Sequence, residues 1–516
     1  MENTKNNQWA SLILGAAILM GGIVRLTPAL LSDFPIIDGG MFYTMIKDIQ
    51  ANNYALPFFT TYNNQSIPFV YPFLSFYITA FISDITHISV LNLVQYLPAI
   101  VATLSIPAFY WMAKNSLQSS QTAVLATLAF AFIPRTFSWF VLGGGISRSI
   151  YQLFIILAVS AGYKLFTSNE RNNKYLILTI LFNSLTVLSH PEAAIHAISI
   201  GVLLVLFYGR NRQGLVYAFA IAIGVLFTTA IWWMPALSRH SMAPFISAMQ
   251  TGGHSLLSFW GALVPRFASE RNISIFTVFA LLGIARQFHK RDYFLIAWFV
   301  LPFIVEPRSA SAISVFPLAL LSGIGFAEII IPALASHLRP QDKNTEWTYY
   351  FQRSPLLRIS LIYIIFISLV GSFTTSLDIA SHTLSQPDRE AMQWVKENTP
   401  QSSQFIVWTG SAEPFSDPVQ EWFPALTKRT SQNTIQGQEW ILGKKFQQFQ
   451  QSLDELQACL EINCVDDWAK VVDRSYDYIY VRQPSLLGKE IELSIEPHMV
   501  YQTDSITIYT FGKKNN

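Results

Sequence analysis

Along the first ~377 positions hydrophobic residues come in long unbroken runs, not in strand-like alternation or the one-sided stripe of a surface helix. About 20 apolar residues carry a helix across a bilayer. Runs of that order recur near 9–31, 90–111, 121–138, 149–166, 175–190, 193–208, 215–235, 273–286, 293–305, 310–333 and 357–377. The pattern predicts a mostly α, polytopic membrane protein of about eleven transmembrane helices. The run 70–83 is apolar but short, and it is studded with Tyr71, Pro72 and Ser75. It predicts an interfacial or re-entrant helix. The first run has no small-residue cleavage site and reads as an anchor. Neither an internal repeat nor an inverted duplication of broken helices is visible.

From Asp378 onward the pattern changes. Pro387 to Asn398 is amphipathic and predicts a helix, as does Phe446 to Leu460. Gln404 to Thr409, Tyr476 to Arg482 and Ser505 to Phe511 cluster β-branched and aromatic residues as strands do. The 139 residues from 378 to 516 can bury a core of their own. The predicted division is a membrane domain over 1–377 and a soluble α/β domain over 378–516.

Composition agrees with that division. The chain of 516 residues is 51% hydrophobic and 14% aromatic with only 13% charge, which excludes an ordinary soluble protein. Its mean hydropathy of +0.34 is diluted by the tail, which holds 19 of the 32 carboxylates against 12 Lys and Arg. With the amino terminus cytoplasmic and 70–83 not crossing, 14 Lys and Arg of the membrane domain face the cytoplasm and 8, Arg25 among them, face outward. That predicts a multi-pass protein of the cytoplasmic (inner) membrane with its carboxyl-terminal domain extracytoplasmic. The net charge of +2 gives no reason to invoke nucleic acid. The two cysteines, Cys459 and Cys464, lie close together in the tail; a local disulfide on the oxidising side and two buried thiols are both open.

Candidate chemistry sits in the outward turns. Asp38, in Phe34-Pro35-Ile36-Ile37-Asp38-Gly39-Gly40-Met41-Phe42-Tyr43, follows the first span directly. A juxtamembrane acid is a functional candidate, though Asp38 also precedes a helix-like stretch that it could cap. Gly143-Gly144-Gly145-Ile146-Ser147-Arg148-Ser149 combines glycines that allow close backbone approach with an Arg at a helix start, where anions bind. The bland alternative is a glycine turn beside an interfacial Arg. Leu188-Ser189-His190-Pro191-Glu192 places His190 and Glu192 in an apolar frame. Together with Asp38 they leave a divalent cation, Mg or Mn, open; the alternative is a Pro-capped turn with Glu192 at a helix amino terminus.

Glu306-Pro307-Arg308 is a third such turn, with an internal ion pair as its plain explanation. Arg266 near the end of an amphipathic stretch, 255–268, and Arg271 just after it suit either a flap or an interfacial anchor. In the tail, Glu421-Trp422-Phe423-Pro424 and Gln436-Gly437-Gln438-Glu439-Trp440 suit stacking on sugars or, equally, a core. No P-loop, dinucleotide fingerprint, haem motif or nucleophile elbow is present.

Ile37-Asp38-Gly39-Gly40-Met41-Phe42-Tyr43 and Val70-Tyr71-Pro72-Phe73, set in this topology, resemble the GT-C superfamily of membrane glycosyltransferases. That group includes protein O-mannosyltransferases, aminoarabinose transferases of lipid A and oligosaccharyltransferase catalytic subunits. Many members carry a second acid where Gly39 stands here. Ser147 and Arg148 occupy a region where oligosaccharyltransferases have an acidic metal-binding motif.

The resemblance implies transfer of a sugar from a polyprenyl-phosphate donor to a lipid, glycan or protein acceptor on the outer face, by inversion. It implies Asp38 as base, with Arg148, Ser147, His190, Glu192, Arg266, Arg271 and Arg308 as contacts to donor phosphate or substrate. A polysaccharide polymerase or ligase, a lipid or solute transporter, and a non-catalytic membrane scaffold remain as alternatives.

Overall fold

The computed structural model describes residues 2–117, 119–168, 173–251, 274–336, 338, 347–411, 413–482 and 498–511. Its membrane half is a bundle of α1 (Glu2–Leu31), α4 (Val90–Ser116), α5 (Ser120–Phe132), α6 (Gly145–Thr167), α7 (Asn173–Val187) and α8 (Pro191–Tyr208), with α2 (Gly40–Ala51) and α3 (Leu74–Thr86) between the first two. It continues through α9 (Arg212–Thr228), α10 (Ala230–His240), α11 (Ala243–Met249), α12 (Ile275–Lys290), α13 (Phe294–Val305), α14 (Ala310–Gly325), α15 (Trp347–Arg353) and α16 (Pro355–Ala380). The protein is a multi-pass membrane protein. Among the described residues six helices are long and apolar enough to cross a bilayer, or seven with α9 and α10 taken as one broken span.

The run 121–138 departs from its expected length: α5 stops at Phe132 and a tight turn, Pro134–Thr136, follows. The run 215–235 also departs, bending by 57° between α9 and α10. Thr229 at the break donates to Val225 O, and Trp232 just beyond it reaches Val70 O through its indole N–H. A straight helix would not deliver that ring to the loop.

Helix α5 is the pivot of the bundle. Every residue from Gln121 to Phe132 is buried, with α1, α4 and α14 packed around it. Small residues permit the approach: a Cβ on Gly323 would lie 2.7 Å from Ala126 N, and one on Gly283 would collide with the Leu321 carbonyl. Arg25 belongs to this interior and not to an outward loop, because its guanidinium finds carbonyls that need donors. It donates to Ala131 O (2.7 Å), Phe130 O (3.0 Å) and Thr136 Oγ1 (2.8 Å), closing the carboxyl end of α5. Gln95 donates to Ala29 O and Ser32 O, tying α4 to the end of α1. The chain leaving α1 toward Asp38 is thus fixed at its root.

Among the described residues the tail forms a five-stranded sheet in the order β4-β3-β5-β7-β6; β1 (Phe59–Thr60) and β2 (Ile67–Pro68) are a small hairpin between α2 and α3. Strand β3 (Gln404–Trp408) is parallel to β4 (Thr430–Ser431) and β5 (Tyr478–Arg482); β7 (Ile506–Thr510) is antiparallel to β5 and β6 (His498–Gln502). Side chains alternate across it as strand geometry requires. Ile406, Trp408, Ile479 and Val481 meet α19 (Phe446–Gln457) and α20 (Ile462–Val471). Cys459 and Cys464, joined as a disulfide with Cα atoms 5.6 Å apart, close the link between those helices.

Phe405, Val407 and Tyr480 face the other way, toward α17 (Gln386–Asn398) and α18 (Pro418–Thr427). That second face does not end at the sheet. Its cluster runs on into Phe34, Met41, Met45, Tyr71 and Phe76 of the segment between α1 and α4, so the tail and that segment share one core.

Candidate active site

Asp38 sits where the end of α1, the start of α6 and the tail meet. Its carboxylate does not cap its own helix: α2 begins after Gly39, without a side-chain cap. Instead Oδ1 accepts from Gly144 N–H at 2.7 Å and Oδ2 from Arg148 Nη2 at 2.6 Å. The pair is sheltered but not sealed, with side-chain exposures of 20% for Asp38 and 8% for Arg148. Arg148 lies over the Trp139 ring, 4.3 Å from its centroid, and its Nε has no hydrogen-bond partner among the described residues.

The glycine run makes this contact sterically feasible. A Cβ on Gly143 would collide with Asp38 O, and one on Gly144 would lie 2.6 Å from Asp38 Oδ2 and 2.8 Å from Arg148 Nη2. Backbone strain marks the other side of the junction. Ile37, a β-branched residue, has φ of 56°, and Gly39 has φ of 116°.

Ser147 links this pair to the next turn. Its hydroxyl donates to Ser189 O (2.6 Å), so at 3.1 Å from Tyr71 Oη it accepts the phenol proton. His190 packs against Tyr71 and Tyr151, with ring centroids 5.8 and 5.0 Å away. Glu192 starts α8 and pairs loosely with Arg308 (3.8 Å), while Ser309 contacts His196 Nε2 (2.8 Å). Arg308 thus reaches Glu192 across the bundle. Asp38 pairs with Arg148 and Glu192 with Arg308, while Ser147 and His190 both contact Tyr71.

Asp38, His190 and Glu192 do not converge as a metal set. Both Asp38 oxygens are taken by N–H donors, and among the described residues no group of three or more His, Cys, Asp or Glu could hold an ion. Arg266 and Arg271, with the 255–268 stretch, lie outside the described residues.

One contributor escaped the sequence reading, and a second, Glu421, entered it only within a run suited to sugar stacking or a core. Trp139, 49% exposed, carries no signal nine residues before Arg148. Glu421 comes from the tail: its Oε1 accepts from Gly39 N–H at 2.8 Å. Burial pushes its carboxyl up to about 8, with the Asp38 charge adding to the rise and the Gly39 and Met41 N–H groups and Arg148 opposing it. Burial likewise raises Glu439 and, against the Ser147 hydrogen bond, Tyr71. Trp422 and Phe423 are fully buried and Trp440 is packed against Tyr71 and Phe245, so these aromatic runs serve as core and not as sugar platforms.

The fold is that of the GT-C glycosyltransferases. The archaeal oligosaccharyltransferase AglB from Archaeoglobus fulgidus, in complex with an inhibitory peptide and a dolichol-phosphate, superposes with a TM-score of 0.60 at 15% identity, over 98% of this chain and 75% of that one. ArnT from Cupriavidus metallidurans superposes over 98% of both chains, with a TM-score of 0.59 and 10% identity in the apo state and 0.55 and 11% when bound to undecaprenyl phosphate. A family model described as a 6-pyruvoyl-tetrahydropterin synthase related domain, membrane protein, matches residues 70–255. No curated protein matches by sequence.

Proposed function

We propose that the protein is an integral membrane glycosyltransferase that moves a sugar from a polyprenyl-phosphate donor to an acceptor hydroxyl or amide at the outer membrane surface. One observation carries the reading: in a GT-C fold, the acid after the first helix is held by Arg148 and Gly144 N–H at the mouth of the bundle. The orientation rests on the Lys and Arg distribution, which puts Asp38 and the tail outside the cytoplasmic membrane.

In this reading Asp38 takes the proton of the acceptor group as its oxygen or nitrogen bonds the anomeric carbon. The bond from that carbon to the phosphate oxygen breaks, and its electron pair leaves with the lipid phosphate. Attack opposite the leaving group inverts the centre. Arg148 and the Gly144 N–H fix the carboxylate in one orientation, which matters because misplacement of about 1 Å costs on the order of a hundredfold in rate. Arg308, 53% exposed and only 3.8 Å from Glu192, is free enough to turn toward a phosphate.

The test is transfer from a radiolabelled undecaprenyl-phosphate sugar in proteoliposomes, comparing wild type with Asp38→Asn. We expect turnover to fall by at least a hundredfold. Turnover retained in the variant removes Asp38 as base.

A further inference from the structure

Asp38 is flanked by two unusual residues, and both are gripped by consecutive residues of the tail. On one side Trp422 donates its indole N–H to Ile37 O at 3.2 Å. On the other, Glu421 Oε1 accepts from Gly39 N–H at 2.8 Å. Neither hydrogen bond is local: 385 and 382 positions separate the partners. The grip is itself anchored, because Tyr62 donates its hydroxyl to Glu421 O at 2.7 Å. It is also tight, since a Cβ on Gly40 would lie 2.7 Å from that same carbonyl.

From this geometry we infer that Glu421 and Trp422 are positioning residues for Asp38: a two-point clamp by which the tail domain holds the base in register with Arg148 and Gly144. The inference rests on the glycosyltransferase reading for its kinetic consequence, but not for its structural one.

The chemistry fits a clamp better than packing alone. The left-handed conformation of Ile37 is one that β-branched residues avoid, and it persists only where surroundings over-determine it. Trp422 supplies that constraint at the Ile37 carbonyl. The Gly39 amide would otherwise be a buried donor without an acceptor, a costly state. Glu421 removes that cost with one oxygen. The charges acting on its carboxyl are those of Asp38 and Arg148, and Tyr62 in turn feels the Glu421 charge.

The clamp separates experimentally from a merely structural role. Glu421→Gln keeps an oxygen for Gly39 N–H, whereas Glu421→Ala removes it; Trp422→Phe keeps the ring volume and loses only the indole N–H. Hydrogen exchange read by mass spectrometry over residues 36–42 reports the clamp directly in the full-length protein. Transfer from an undecaprenyl-phosphate sugar reports its consequence.

We expect Glu421→Ala and Trp422→Phe to speed exchange over 36–42 at least tenfold and to lower kcat at least tenfold, with the donor KM within twofold of wild type. Glu421→Gln should restore both. Unchanged exchange in both Glu421→Ala and Trp422→Phe overturns the inference, as does unchanged kcat in those variants. If exchange follows the expected pattern and wild type transfers no sugar, the clamp stands and the glycosyltransferase reading falls.

Discussion

Gly144→Ala perturbs the Asp38–Arg148 contact, where the base is proposed, with a single methyl group. The backbone at Gly144 has φ of −67° and ψ of −8°, a conformation alanine adopts without strain. The main-chain N–H to Asp38 Oδ1 is retained. The added carbon falls 2.6 Å from Asp38 Oδ2 and 2.8 Å from Arg148 Nη2, where contacts of about 3.5 Å are comfortable. Both atoms end side chains, so they give way before the backbone does. Relief requires a shift of roughly 1 Å at the carboxylate, which separates Asp38 from Arg148. A charge-assisted hydrogen bond contributes about 1.5–3 kcal/mol, and a misplacement of about 1 Å costs on the order of a hundredfold in rate.

The expected outcome is a fall in kcat of about ten- to a hundredfold, with a loss of stability no larger than the about 1.5–3 kcal/mol of that one hydrogen bond. Steady-state transfer in proteoliposomes, with thermal melting of the same preparations, checks both. Wild-type turnover in Gly144→Ala would show that the Asp38–Arg148 geometry is irrelevant to catalysis. A collapse of stability would show that the glycines serve folding.

Other outcomes follow from neighbouring groups. Arg308→Ala should leave stability within about 1 kcal/mol, since a half-exposed pair contributes little. It should weaken binding of undecaprenyl phosphate, measured by titration in nanodiscs. Arg25→Met removes the donors that close α5 and should destabilise the fold by about 3 kcal/mol or more, since several buried carbonyls lose their partners; urea unfolding in mixed micelles reads this. The carboxyl of Glu421 is raised on folding from its ordinary 4.5 to about 8, so the folded state binds the extra proton between those values. The stability it confers is fully present below pH 4.5 and is lost as pH rises toward 8. Melting temperatures from pH 5 to 9 should fall more steeply for wild type than for Glu421→Gln.

The helices were legible because burial in lipid writes itself into continuous apolar runs. Their lengths were less so: the break at Thr229 and the early stop of α5 are set by where Trp232 and Arg25 find partners. In the tail, β3, β5 and β7 are residue runs that a sheet buries on both faces, and their composition announces them. Strands β4, two residues long, and β6, mostly exposed, have no such pattern. Asp38 and Arg148 could be singled out because a charge at a membrane exit is costly. That they are partners could not be, since 110 positions separate them. Glu421 was hidden for the same reason, more strongly, inside a segment whose aromatics drew attention to stacking instead.

The bridge between Ile36 and Thr383, with Ile37 N–H donating to His382 O, has a bearing on biosynthesis. Ribosomes deliver the segment around Asp38 early and its companions around 382 and 421 only after most of the helices have been threaded into lipid. A nascent or truncated polypeptide ending before Thr383 carries its acid on an unformed loop. With Asp38 as the proposed base, such fragments are expected to transfer no sugar until nearly the whole chain has been translated.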